Sequence, residues 1–168
     1  MSASTVSSAP VTNPITAQEP QLRAAVILGI IRFTSWPHQN DSKKNLNVCT
    51  LGEPLSKSEL LPISNLHKVA NRTLIVSVLN GVKNIDVCDV LIFGPNLKIV
   101  DFSRRLQQTV ALPIITICDG CNTLDTQTTI KLIQRSNRIG FEVNLVNANK
   151  QKVIFSSSLL EIASEVRQ

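Results

Sequence analysis

The stretch "CDVLIFGPNLKIVDFSRRLQQTVALPIITICDGC", residues 88–121, decides the fold. It holds two short apolar runs, "VLIF" and "IITI", the first closed by Gly94-Pro95 and the second by Asp119-Gly120. Unalternating apolar runs of this length, rich in β-branched residues and bounded by turn residues, read as strands covered on both faces. Between them Ile99, Phe102, Leu106 and Val110 recur at helical intervals behind Asn96, a plausible N-cap. The unit is therefore strand, helix, strand.

The flanking segments repeat the theme. "LNVCTLG", ended by Gly52-Glu53-Pro54, reads as a central strand, and "NRTLIVSVL" as another. "EPLSKSELLPI" starts with a proline near its first turn and reads as a helix. Upstream, "PQLRAAVILGIIRFTSWP" spaces Leu22, Ala25, Val26, Ile30 and Phe33 as one helical face, with Pro37 as its stop and Trp36 covering the apolar end. Downstream, "TTIKLIQ" and "RIGFEVNL", separated by Arg135-Ser136-Asn137, predict an antiparallel hairpin. "IFSSSLLEIASEV" predicts a last helix, capped by Ser156 or Ser157, with Leu159, Leu160 and Ile162 facing inward. Together these predict one α/β domain: a mixed, mostly parallel sheet flanked by helices, with a C-terminal β-hairpin and helix. Residues 1–20, rich in Ser, Thr, Pro and Ala, read as a flexible leader, and residues 21–168 as the domain.

A chain of 168 residues closes one core. The net charge of +5 is scattered rather than blocked, and with no Tyr and one Trp the stacking aromatics of a nucleic-acid binder are missing, so no nucleic-acid partner is expected. No run reaches the roughly 20 apolar residues of a membrane span. The N-terminus has neither the basic nor the apolar region of a signal peptide. Met1 is the sole methionine, as expected of a start residue set before an already processed sequence.

The four cysteines are Cys49, Cys88, Cys118 and Cys121, which three pairings could join. Zinc is disfavoured, because Cys49 and Cys88 are far apart and His38 and His67 lie in unrelated segments. A thioredoxin-like Cys118-Asp119-Gly120-Cys121 needs its first cysteine at a helix N-terminus, whereas here it follows a strand and sits beside a carboxylate. Disulfides in an oxidising compartment are the leading reading; reduced, buried thiols are the bland one. Among the pairings, Cys49–Cys88 with Cys118–Cys121 makes physical sense. The long loop would contribute about 4 kcal/mol and the short one about 2 kcal/mol in the chain-entropy model.

No catalytic constellation is legible. His38 and His67 read as solvated loop residues, and Ser156-Ser157-Ser158 lacks a nucleophile elbow. No glycine-rich phosphate loop occurs. Asp86 and Asp89 read as loop charges; Asp119 and Asp125, near the end of the fourth strand, stand where open α/β sheets bind ligands, yet turn and cap roles account for them. Arg104, Arg105 and Phe102 are candidate interface anchors, although spacing puts Phe102 in the core, so no interface residue is assigned.

The order of "AAVILGIIRFTSWP", "VCTLG", "CDVLIFGP", "LPIITICDG", "RIGFEVNLVNAN" and "SSSLLEIA" resembles the YfiR family, periplasmic repressors of inner-membrane diguanylate cyclases, over residues 22–166. The resemblance implies a non-enzymatic, cofactor-free periplasmic protein whose signal peptide has been removed. It would bind the periplasmic domain of a YfiN-like cyclase, repress cyclic-di-GMP synthesis and so limit exopolysaccharide and biofilm. A YfiB-like outer-membrane lipoprotein would sequester it. The resemblance also implies a homodimer and redox-sensitive disulfides Cys49–Cys88 and Cys118–Cys121. Two features depart from the family pattern: the close spacing of Cys118 and Cys121, and "NANKQKVIF", which lacks an Ala-Gly-rich turn. Two other readings are a periplasmic small-molecule-binding module with its ligand in the sheet crevice, and a thiol-disulfide oxidoreductase using Cys118 and Cys121.

Overall fold

The apolar runs at Val90–Phe93 and Ile115–Cys118 lie side by side at the centre of an eight-stranded sheet. The computed structural model describes residues 14–37, 43–80, 84–121 and 127–168. In chain order the elements are α1 (Pro14–Arg32), β1 (Thr34–Ser35), β2 (Asn45–Leu51), α2 (Lys57–Leu60), β3 (Lys68–Val69) and β4 (Arg72–Val78). After a 3-10 turn at Ile85–Val87 follow β5 (Val90–Phe93), α3 (Ile99–Thr109), β6 (Ile115–Cys118), β7 (Ile130–Arg135) and β8 (Arg138–Asn144). The chain closes with α4 (Leu145–Lys150), β9 (Ile154–Phe155), α5 (Ser157–Ile162) and β10 (Glu165–Arg167).

The sheet order is β10-β8-β7-β6-β5-β2-β4-β3. The five strands β7, β6, β5, β2 and β4 are mutually parallel. Antiparallel β3 flanks one end, and at the other β8 turns back on β7 with β10 parallel to it. The fold is thus the mixed, mostly parallel α/β sheet expected, with its C-terminal hairpin and helix. Four short strands have no signature in the sequence: β3, β10 and the separate antiparallel pair β1 and β9. Each is two or three residues long, too short to display a period.

Strand alternation sends side chains to two cores. Val48, Val90, Ile92, Ile115, Ile117 and Ile130 join α1 and Leu60 in the larger one. Cys49, Leu51, Leu91 and Phe93 meet Phe102 and Leu106 of α3 in the smaller one, where the Phe93 and Phe102 rings pack edge to face at 4.8 Å.

Several local expectations are corrected. In α1 the buried face is Ala24, Ile27, Ile30 and Ile31, while Leu22, Ala25 and Phe33 are exposed. "AAVILGII" is apolar on every side, so its period could not select the face. The helix also begins at Pro14, within the stretch read as a leader. Helix α3 is capped at Lys98, not Asn96, without a side-chain acceptor; Ile99 is 71% exposed and Val110 is also exposed. The predicted helix after Pro54 is reduced to the single turn α2. In α5 Ser156 is the cap, its Oγ accepting from the Leu159 amide at 3.2 Å, but Ile162 is 70% exposed because the helix ends there.

The loops at the carboxyl ends of β2 and β5 touch backbone to backbone. A Cβ on Gly94 would overlap Gly52 O, Glu53 C and Pro54 N. None of these atoms can swing away as a side chain can. Gly94→Ala is therefore expected to cost at least about 3 kcal/mol, the upper end of overpacking penalties. Urea unfolding measures it, and a loss under about 1 kcal/mol would contradict this packing.

Candidate functional site

Period two along β6 sets the chemistry at the carboxyl end of the sheet. Cys118 points to the α3 side and Asp119, one residue on, to the α1 side. The structure joins Cys118 to Cys121, with Cα atoms 5.5 Å apart, and Cys49 to Cys88, 5.9 Å apart. Cys49 lies in β2, and Cys88 immediately precedes Asp89 and β5, so the long-range bond staples two neighbouring strands within the smaller core. The short bond closes the turn after β6. There Gly120 has φ +82°, and a Cβ on it would lie 2.8 Å from a methyl of Leu55. Glycine is required on both counts.

Asp119 is fully buried. Its Oδ1 accepts from Arg23 Nη1 of α1 at 2.8 Å, and its Oδ2 accepts from the Ser56 amide at 2.8 Å and the Ser56 hydroxyl at 2.6 Å. Arg23, only 4% exposed, also donates from Nε to Glu19 at 2.7 Å. The Ser56 hydroxyl precedes α2 but does not cap it; Asp119 takes it instead. A carboxylate that was read as a turn residue lining a crevice is therefore a buried tie between α1, α2 and β6. Its oxygens face α1 and the start of α2.

A second buried carboxylate occupies the opposite end. Asp89, read as a loop charge, has Lys43 Nζ at 2.6 Å on Oδ1, with the Asn47 amide at 2.8 Å and Arg72 Nη2 at 3.1 Å on Oδ2. Its carbonyl accepts from Trp36 Nε1 at 3.3 Å, and the Arg72 guanidinium lies 5.5 Å from the centre of the Trp36 ring. Trp36 thus does cover apolar surface, as its place after α1 suggests, while its indole N–H satisfies the strand end. Asp86 stays exposed.

Both buried aspartates follow cysteines, Cys88-Asp89 and Cys118-Asp119. The repeated dipeptide was a usable signal, since a carboxylate abutting an all-apolar strand must find a partner. Of the other candidates, His67 is half-buried in the loop before β3, Phe102 is in the core, and Arg104 lies exposed on α3, 3.7 Å from Asp101. Arg105 reaches Gln108 at 3.3 Å. His38 and Asp125 lie outside the described residues. Among the described residues no three His, Cys, Asp or Glu gather as metal ligands, and no helix is long and apolar enough to cross a membrane.

Two open clefts lie away from this end. One, of about 200 Å³, runs between the last turn of α3 and α4, past Thr109, Asn147 and Gln151. Beneath it Thr129 bridges Thr116 and Gln151. The other, of about 420 Å³, lies by Asp86 and Arg105.

Removing one partner of a buried ion pair strands the other charge at a cost of about 3–5 kcal/mol, whereas replacing both with apolar side chains can be near neutral. Asp119→Leu and Arg23→Met should each destabilise by that amount, and the double variant by less than either; additive losses would contradict direct coupling. Cys49→Ala/Cys88→Ala should cost about 4 kcal/mol and Cys118→Ala/Cys121→Ala about 2 kcal/mol in denaturant unfolding.

A family model described as YfiR/HmsC-like matches residues 20–164. No curated protein matches the chain. The match runs from within α1 to the residue before β10 and takes in the whole parallel sheet, both disulfides and both buried aspartates. The protein belongs to the YfiR/HmsC-like family.

Proposed function

We propose that this chain is a periplasmic regulatory protein. It binds the periplasmic domain of an inner-membrane diguanylate cyclase of the YfiN type and represses cyclic-di-GMP synthesis, and with it exopolysaccharide and biofilm formation. It acts as a homodimer, is sequestered by a YfiB-type outer-membrane lipoprotein, and performs no catalysis. The observation that carries the reading is the family match over residues 20–164. Two disulfides suit an oxidising compartment, where small proteins keep such bonds.

The site geometry also weighs against the two rival readings. Cys118 is 2% exposed and ends a strand, so it lacks the accessible, dipole-stabilised thiolate that disulfide exchange requires. A ligand in the sheet crevice would have to displace the Asp119–Arg23 pair and the tightly packed loops around Gly94. Repression through a protein surface needs no such space. Redox sensitivity enters at Cys121, the half-buried member of the Cys118–Cys121 bond, where a reductant can reach the sulfur that Cys118 itself does not expose.

The test is cyclic-di-GMP production by membranes carrying the cognate cyclase, with the protein added oxidised or after mild reduction. Oxidised protein is expected to suppress synthesis and reduced protein to suppress it less. No suppression in either state would sink the reading.

A further inference from the structure

The hairpin β7–β8 outruns the sheet that carries it. The last ladder pair between β6 and β7 is Cys118 with Lys131, and the first between β10 and β8 is Glu165 with Glu142. Beyond Leu132 and Phe141, which are still buried, the ribbon runs on past the ladder pairs of both neighbouring strands to an exposed turn at Ser136-Asn137, in which Ser136 has φ 50°. At that turn Arg135 stands opposite Arg138. Directly opposed residues share one face of an antiparallel pair with Cβ atoms about 5 Å apart, where like charges are destabilising.

Among the described residues nothing offsets that repulsion. Both arginines are exposed, and neither guanidinium has a hydrogen-bond or ion-pair partner among the described residues. The next row inward on the same face is Ile133 and Gly140, and the row after that Lys131 and Glu142. That glutamate is two rows, about 14 Å, from the tip, and both it and Glu165 are held by Arg167 at 3.3 and 2.8 Å. Two like charges facing each other across an exposed turn favour an anion placed between them.

We propose that Arg135 and Arg138 form a fork that docks an acidic segment of a protein partner. Guanidinium groups bind carboxylates bidentately, and two of them side by side fit a pair of Asp or Glu side chains. An anionic bilayer is the weaker fit, since membrane recognition uses clusters of about four to eight cations. The identification of that partner as the periplasmic domain of the cyclase rests on the proposed function above.

The oxidised full chain is titrated by calorimetry with that domain at low and physiological salt, alongside Arg135→Glu/Arg138→Glu, Arg138→Glu alone, and Arg104→Glu as a control on α3. The double variant should bind at least about tenfold more weakly and lose most of the salt dependence, while Arg104→Glu binds as the parent does. Arg138→Glu places a carboxylate opposite Arg135, so it should melt at or above the parent temperature yet bind more weakly, an outcome no purely structural role produces. Equal binding by the parent and the double variant overturns the fork and leaves the repressor reading intact. Should the parent not bind the cyclase domain at all, the repressor reading falls and a decaglutamate peptide decides the fork: capture that depends on Arg135 and Arg138 upholds it, and its absence overturns it. Arginine-dependent capture by phosphatidylglycerol vesicles without capture of the peptide overturns it in favour of a membrane surface.

Discussion

The fold turns on one carboxylate that has no access to water. A buried carboxylate at the end of β6 needs donors around it, and Arg23 and Ser56 supply three hydrogen bonds to Asp119. These partners come from α1 and from the start of α2, so one side chain fixes where both elements sit on the sheet. The requirement is sharpest for α1. Its run "AAVILGII" would bury acceptably in more than one rotation, but a shift of one residue turns a helix by about 100° and would carry Arg23 away from its partner. Burial supplies the driving force, and the ion pair selects among the rotations that burial allows.

Asp89 applies the same logic to the amino end of the parallel strands. It gathers Lys43, Arg72 and the Asn47 amide, and through its carbonyl the Trp36 indole. Each aspartate directly follows a disulfide cysteine, so each end of the β5–β6 pair combines a covalent constraint with a charged one. The two ends differ in strength. Cys49–Cys88 closes a long loop and joins strands already paired, whereas Cys118–Cys121 closes a single turn and contributes much less through chain entropy. The bond beside Asp119 is therefore the one whose loss costs less through chain entropy, although the carboxylate next to it carries more of the fold.

Much of the fold was legible in the sequence because its central strands are short, apolar and bounded by Gly, Pro or Asp, and because Ile130–Arg135 and Arg138–Asn144 bracket an unmistakable turn. Helix faces were harder. Phe102 and Leu106 were found, since α3 beyond Val100 is otherwise polar, but the buried face of α1 was not, because apolar residues encircle it. The ion pairs were invisible for a different reason. Arg23 and Asp119 are 96 positions apart, and Arg72 and Asp89 come from separate strand ends. Spacing along the chain carries no information about such partners; only the parallel topology brings them together. Strands β1 and β9 likewise owe their existence to α1 and α5 delivering their ends to one place.

The same topology shapes the end of the sheet where α/β folds ordinarily bind ligands. Parallel α/β sheets ordinarily leave a crevice at the carboxyl ends of their strands, but here Gly52, Gly94 and Gly120 let the loops close on one another, and the remaining polarity is consumed by Asp119. What projects from that end instead is the β7–β8 ribbon. Its last strand contact with the parallel sheet is Lys131 opposite Cys118, a cysteine of the short disulfide. The turn closed by Cys118–Cys121 therefore adjoins the strand contact nearest the paired arginines, at Lys131, four residues from Arg135. Under the proposed function, a reduced Cys118–Cys121 would let both Asp119 and the base of the ribbon move, so that signal and docking surface meet in one strand pair without any ligand cavity between them.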